Sequence, residues 1–209
     1  MKLYDADWAP NPRRVRIFLA EKGIQVERIA VDLRRDEQLG AEYLAVNARG
    51  TVPALRLDNG EVIADSIAIC RFFDALHPAP ALFGVRPLEI ARIEEWTRRI
   101  ESDGYAAAVY ALRNRASAFA GRALAGKWPP VPQVPALLER GQVMWGSFIA
   151  ALDMRLGDSE WIAGDYSVAD ISALVTIDFA KVGKLAVPEE ATHVRRWYEA
   201  VSARPSASA

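Results

Sequence analysis

The sequence holds one cysteine, Cys70, and two histidines, His77 and His193. A single thiol closes neither an internal disulfide nor a structural zinc site, and this suits a reducing compartment. No run of about 18 uncharged apolar residues occurs, and the opening Met1-Lys2-Leu3-Tyr4-Asp5 lacks the apolar stretch of a signal peptide, so a soluble cytoplasmic protein without a membrane partner is expected. Charge of one sign is missing too. With 26 Lys and Arg against 27 Asp and Glu, the net charge of −1 attracts neither nucleic acid nor anionic lipid. There is no G-x-G-x-x-G, no phosphate loop ending in Lys-Ser/Thr, no H-E-x-x-H and no C-x-x-C, so no metal site or bound cofactor is expected. The histidines offer no base: His77, before Pro78, reads as a helix end, and His193, among Glu190, Arg195 and Arg196, as solvated.

What is present is an ordinary globular composition, 51% hydrophobic and 25% charged. Strand and helix signals alternate over residues 1–77. A strand at Lys2 to Asp5 precedes a helix opened by Asn11 and Pro12, with Val15, Phe18 and Leu19 on one face and Gly23 after its end. Ile29, Val31 and Leu33 alternate as a second strand, and Glu37 to Ala45 reads as a short helix. Val52 to Leu57 and Val62 to Ala64 flank the turn residues Asp58-Asn59-Gly60, and Asp65-Ser66 begins a helix running to Leu76, with Ser66 as its expected cap. The order is βαβαββα. Pro78, Pro80 and Pro87 mark a linker over 78–87. From 88 to 209 the period is helical, which makes the fold class α/β followed by all-α. Ile90, Ile93, Thr97, Ile100, Gly104, Ala107 and Ala111 share the face of one long helix, with its small residues admitting a neighbouring backbone. Leu138, Trp145, Phe148, Leu152 and Leu156 line another, which ends at Gly157-Asp158.

The chemistry concentrates in two places. Pro53, at the head of a strand in Gly50-Thr51-Val52-Pro53-Ala54-Leu55, can be cis, and Val52 would then present its N–H and C=O outward for a peptide to pair with. Further on, the Ser66 hydroxyl, the unused amides of a first helical turn and the positive helix end converge where a carboxylate would bind, while Asp65 can hold an ammonium. Together these suit a ligand with an α-amino acid at one end and a peptide backbone in its middle. Cys70 reads as a small core residue, and Arg13, Arg14, Arg16 and Arg34-Arg35 read as solvated faces, with Arg13 alternatively a ligand contact.

The runs NARGTVPAL (47–55) and ADSIAICRFFDALHP (64–78), with GDYSVADI (164–171) and RRWYEAVSARPS (195–206), resemble the glutathione transferase superfamily over essentially the whole chain. The resemblance implies a thioredoxin-like domain over 1–77, a helical domain over 88–209 walling the electrophile site, and a homodimer. It also implies that reduced glutathione serves as cosubstrate, with Ser66 and Asp65 holding its γ-glutamyl end and Val52, before cis Pro53, pairing with its cysteinyl backbone. Ser167 and Asp170 would cap a buried helix reciprocally. One position departs from the pattern. Where the family often has Ser, Thr or Cys before the Pro-Asn of the first helix, this chain has Ala9. The thiol would then be stabilised by helix amides, by the Asn11 side chain, which can also serve as a helix cap, or by the Tyr4 hydroxyl. The expected activity is thiolate attack on an electrophile or disulfide, with Trp8, Tyr105 and Tyr110 as candidate wall aromatics. The alternative is a glutathione-binding or regulatory protein without turnover.

Overall fold

The computed structural model describes residues 1–209, which form two compact units. The first comprises Met1–Pro80 with Leu124–Pro129 and Ser208–Ala209, and the second Ala81–Ala123 with Pro130–Ala207.

In the first unit β1 (Lys2–Asp5), α1 (Pro10–Glu21), β2 (Glu27–Ala30), α2 (Ala41–Leu44), β3 (Ala54–Arg56), β4 (Val62–Ile63) and α3 (Ser66–Leu76) follow the expected order. The sheet runs β2-β1-β3-β4. β1 and β2 are parallel, the α1 crossover making this possible, whereas β1–β3 and β3–β4 are antiparallel. Leu3 and Leu55, partners across β1 and β3, are fully buried along with Val15, Ile17, Phe18, Ile69 and Cys70. Helices α1 and α3 pack on each other.

Three local expectations shift. β2 lies at 27–30 rather than 29–33, because the edge strand pairs only with β1 and its side chains do not alternate in burial. The helix expected over 37–45 divides into a 3-10 turn at Glu37–Leu39 and α2, since extended Gly40 becomes the cap of a helix of only four residues, and another 3-10 turn at Leu33–Arg35 takes the place of the expected strand end. Arg14 and Arg16 are buried, not solvated. Arg16 is neutralised by Asp5 at 2.7 Å, and Asp5, itself buried, also receives Arg28.

The second unit is helical: α4 (Pro87–Arg99), α5 (Ala106–Arg115), α6 (Pro135–Leu156), α7 (Val168–Val182) and α8 (Thr192–Ser202). The single long helix expected through Ala111 is interrupted by a π-helical turn at Ile100–Tyr105. There the ring of Phe148 lies so close to Gly104 that a Cβ would sit 2.7 Å from it. Tyr105 stacks on Phe179. Helix α7 is buried all round from Val168 to Ile177, mostly by apolar residues but with Asp170, Ser172 and Thr176 among them. At its start Ser167 and Asp170 form the expected capping box, with Ser167 N–H donating to Asp170 Oδ2 at 3.0 Å. Asp170 Oδ1 also accepts from Ile162 N–H and Trp197 Nε1–H. Complete burial pushes its carboxyl up to about 6, against the pull of these donors. His193 is not simply solvated: its Nδ1 lies 3.2 Å from Asp153 Oδ2.

Candidate functional site

The site is assembled from the turn before β3 and the starts of α1 and α3. Asn47 shapes the turn. Its buried amide donates to Thr51 O at 2.7 Å and its Oδ1 accepts from Arg49 N–H, while Tyr43 O–H also donates to Thr51 O. Burial pushes the Tyr43 hydroxyl up to about 12, so it stays a donor. Gly50 has φ 61°, and a side chain there would strike Gln38 O and Leu39, so the turn requires glycine. The segment Leu124–Pro129 closes over this turn, with Lys127 N–H donating to Arg49 O at 2.8 Å.

The Val52–Pro53 peptide is cis. Thr51 O is occupied, but no backbone bond of the chain uses the N–H or C=O of Val52. Leu55 is opposite Ile63 and Arg56 opposite Val62, so the antiparallel β3–β4 hairpin carries the chain before β3, with Val52, and the chain after β4, with Ser66, to the same end of the sheet. Sequence order separates these residues, and the hairpin brings them together.

Asp65, not Ser66, caps α3, its carboxylate accepting from Ala68 N–H at 2.9 Å. This corrects the cap expected at Ser66: the helical residues begin at Ser66, so its side chain lies one position too late to reach back to the turn's amides. Ser66 Oγ instead accepts from Arg14 Nη1 at 2.6 Å. That bond occupies a lone pair and leaves the hydroxyl hydrogen to donate elsewhere. The amide hydrogens of Ser66 and Ile67 are bonded to nothing in the chain.

At α1 the cap is Ala9, which offers no side-chain bond, so Asn11 is not the cap but the second helical residue. Pro10 and Pro12 have no N–H, and Arg13 N–H returns to Ala9 O. Of the several helix amides expected here, the two prolines remove two, and Asn11 brings an N–H between them. The Asn11 side chain is half-buried, and its Oδ1 accepts from Arg14 Nη1 at 3.2 Å, turning the Nδ2 donor end away from the arginine. Arg14 thus aims two donors, Ser66 O–H and Asn11 Nδ2–H, from beneath. It was missed in the sequence because it sits in an arginine run; the available signal was its i,i+4 spacing to Phe18, which puts a cation on an otherwise apolar face.

Tyr4 lies beside Ala54 in the sheet. Strand alternation places it on the sheet face opposite Leu3, and its ring meets Tyr43 edge-on at 5.8 Å. Cys70 is fully buried and burial pushes its thiol pKa up, so it is not poised as a nucleophile. Trp8 is 57% exposed. No group of three or more His, Cys, Asp or Glu side chains is placed to hold a metal ion.

An open peptide edge and an open helix start, on a four-stranded thioredoxin-like unit followed by a helical one, suit a ligand with a peptide backbone and an anionic end. The glutathione S-transferase N-terminal domain family matches residues 8–76 and the glutathione S-transferase C-terminal domain family matches 146–205. Glutathione S-transferase 2 of Saccharomyces cerevisiae is 36% identical over 213 residues, 99% of this chain and 87% of that protein. Among solved structures, Gtt2 from Saccharomyces cerevisiae superposes with a TM-score of 0.89 at 33% identity, covering 99% of this chain and 98% of the other. A class Gtt2 glutathione S-transferase of Vibrio parahaemolyticus gives 0.83 at 37% identity, covering 99% and 94%. The chain belongs to the glutathione S-transferase family, and it is a glutathione-dependent transferase; nothing in these comparisons supports the reading without turnover.

Proposed function

We propose that Val52, Pro53, Asp65 and Ser66 hold glutathione and that Asn11 stabilises its thiolate for attack on a small electrophile or disulfide. The reading rests above all on the unused N–H and C=O of Val52, at the same end of the β3–β4 hairpin as the unused amides of Ser66 and Ile67. The cysteinyl residue pairs with Val52. The γ-glutamyl carboxylate receives the Ser66 hydroxyl and the two amides at the positive end of α3, and the ammonium faces Asp65, which is exposed. The sulfur then falls toward α1, where Asn11 contributes its amide N–H and Nδ2–H. Two donors in place of the missing hydroxyl favour the charged form and lower the thiol pKa from its free value of about 8.5. The thiolate attacks the electrophilic carbon and the leaving group departs with its electron pair, or it attacks a disulfide sulfur and releases the other thiolate. Tyr4, facing Tyr43, is a lesser candidate for the thiolate donor.

Residues 1–77 form the glutathione-binding domain, 78–87 the linker and 88–209 the helical domain. The protein acts in the cytoplasm as a homodimer. A single buried cysteine suits that compartment, and no helix is long and apolar enough to cross a membrane; light scattering on the eluting protein tests the dimer. Calorimetric titration with glutathione, beside turnover assays using an aromatic halide and a small mixed disulfide, tests the reaction. Binding with turnover of one substrate is expected; absence of glutathione binding overturns the site.

A further inference from the structure

We propose that Gly126 is a positioning residue for glutathione: it seats a strap, Leu124–Pro129, on the turn before β3 and so fixes the direction of the Val52 N–H and C=O. This role rests on the pairing of glutathione with Val52 proposed above. The strap packs with the first unit, although the chain on either side of it belongs to the second. Its ends are tied to each other, Ala123 N–H donating to Val131 O at 3.1 Å and Val131 N–H to Gly121 O at 2.8 Å. Its tip is closed by Trp128 Nε1–H, which donates to Ala125 O at 2.8 Å across Gly126 and Lys127.

What the strap touches is backbone. Lys127 N–H donates to Arg49 O at 2.8 Å, and a Cβ on Gly50 would meet Lys127 N at 3.3 Å. Gly126 allows this approach in two ways. Its φ of 91° lies in the left-handed region that favours glycine, and a Cβ built on it would strike Arg49 O and come within 2.9 Å of Thr51 Cγ2. A carbonyl oxygen in a tight turn cannot swing aside as a flexible side chain does, so any side chain at 126 must either lift the strap or push the turn.

The turn is held by its own neighbours too. Asn47 O accepts Gly50 N–H at 2.9 Å, and Thr51 O accepts Tyr43 O–H and Asn47 Nδ2–H. The strap takes Arg49 O between them, and Val52 follows directly with its N–H and C=O unused by the backbone. Gly126 therefore acts on glutathione only through the turn. A displaced turn must be reseated when the peptide binds, which removes binding energy common to the ground state and the transition state, so KM for glutathione rises while kcat holds.

The test is calorimetric titration of the full chain with glutathione and with γ-glutamyl-N-methylcysteinylglycine, which lacks the cysteinyl N–H that Val52 C=O would accept, beside steady-state turnover of an aromatic halide. The parent should bind glutathione about tenfold more tightly than the N-methyl peptide. Gly126→Ala should weaken glutathione binding about tenfold, raise KM for glutathione to match, leave kcat within about twofold and narrow the gap between the two peptides. Gly121→Ala is the control, because Gly121 has φ 73° but a Cβ there meets nothing within 4 Å; it carries the backbone strain alone and should bind glutathione as the parent does. Trp128→Phe opens the strap tip without a clash and should weaken glutathione binding about threefold, and it decides alone if Gly126→Ala does not fold. Equal affinity of the parent for the two peptides overturns the pairing at Val52 and this role with it. Where the parent discriminates them, the role of Gly126 alone is overturned if Gly126→Ala and Trp128→Phe bind glutathione as the parent does, if Gly121→Ala loses as much affinity as Gly126→Ala, or if Gly126→Ala lowers kcat and leaves KM unchanged.

Discussion

Helices α3 and α7 both begin with an acidic side chain that accepts a backbone N–H, but the two starts are finished in opposite ways. At α7, Ser167 and Asp170 close on each other, and Asp170 takes two further donors with no exposure to water. At α3, exposed Asp65 takes only Ala68 N–H, and the amides of Ser66 and Ile67 stay open. The closed start uses its polarity within the fold; the open start leaves it unused, as the proposed glutathione site requires. Helix α1 starts differently again, with an alanine cap that makes no side-chain bond and two prolines that bring no amide hydrogen to its first turn. Within one chain, stability and binding thus draw on the same helix-end physics and are separated by how completely the end is satisfied.

The difference can be broken at the closed end first. Asp170→Ala strands buried donors from Ile162, Ser167 and Trp197. It should cost about 3 kcal/mol or more of unfolding free energy, measured by denaturant titration, yet leave the glutathione affinity of the folded fraction unchanged. The same residue sets a pH dependence. Its carboxyl is raised in the fold from 3.8 to about 6, so between those values the native state binds more protons than the unfolded chain. Stability from this group is therefore present below that window and lost as pH rises through it, and Asp170→Asn should flatten the slope.

At the open end, Ser66→Ala should weaken glutathione binding by about 1.5 to 3 kcal/mol, the worth of a charge-assisted hydrogen bond. Stability should also fall by about 1 kcal/mol, because Arg14 loses an acceptor rather than because a cap is lost. Asp65→Ala carries the cap loss instead, again about 1 kcal/mol. Unchanged glutathione affinity in folded Ser66→Ala would remove the functional meaning of the open start. Asn11→Ala should lower turnover about tenfold to a hundredfold, one donor of about 1.4 to 3 kcal/mol. Tyr4→Phe should change it less than about twofold, far short of the 1.4 kcal/mol of a tenfold step.

What the sequence disclosed follows the same division. Cis Pro53, the Ser167–Asp170 box and the βαβαββα order were legible because each is punctuated locally by proline, by a Ser-x-x-Asp spacing or by a change of period. Arg14 and Arg16 were not, since burial of an arginine depends on partners far along the chain, Ser66 for one and Asp5 for the other. The π-turn at Ile100–Tyr105 was hidden because one extra residue scarcely disturbs a helical period, and the contact that accompanies it comes from Phe148 on another helix. Ser66 was found, but with the wrong partner: the sequence shows a serine at a helix start and cannot show that Asp65 takes the cap and Arg14 the hydroxyl oxygen.

The central claim is that α1, with an alanine cap and two prolines in its first turn, still stabilises the glutathione thiolate through Asn11. The pH titration of thiolate absorbance for bound glutathione, in the parent protein and in Asn11→Ala, Ala9→Ser and Tyr4→Phe, tests it most directly. The account predicts that Asn11→Ala moves the titration to higher pH, that Ala9→Ser, restoring a hydroxyl, moves it lower, and that Tyr4→Phe leaves it in place. An upward shift in Tyr4→Phe with none in Asn11→Ala would contradict it.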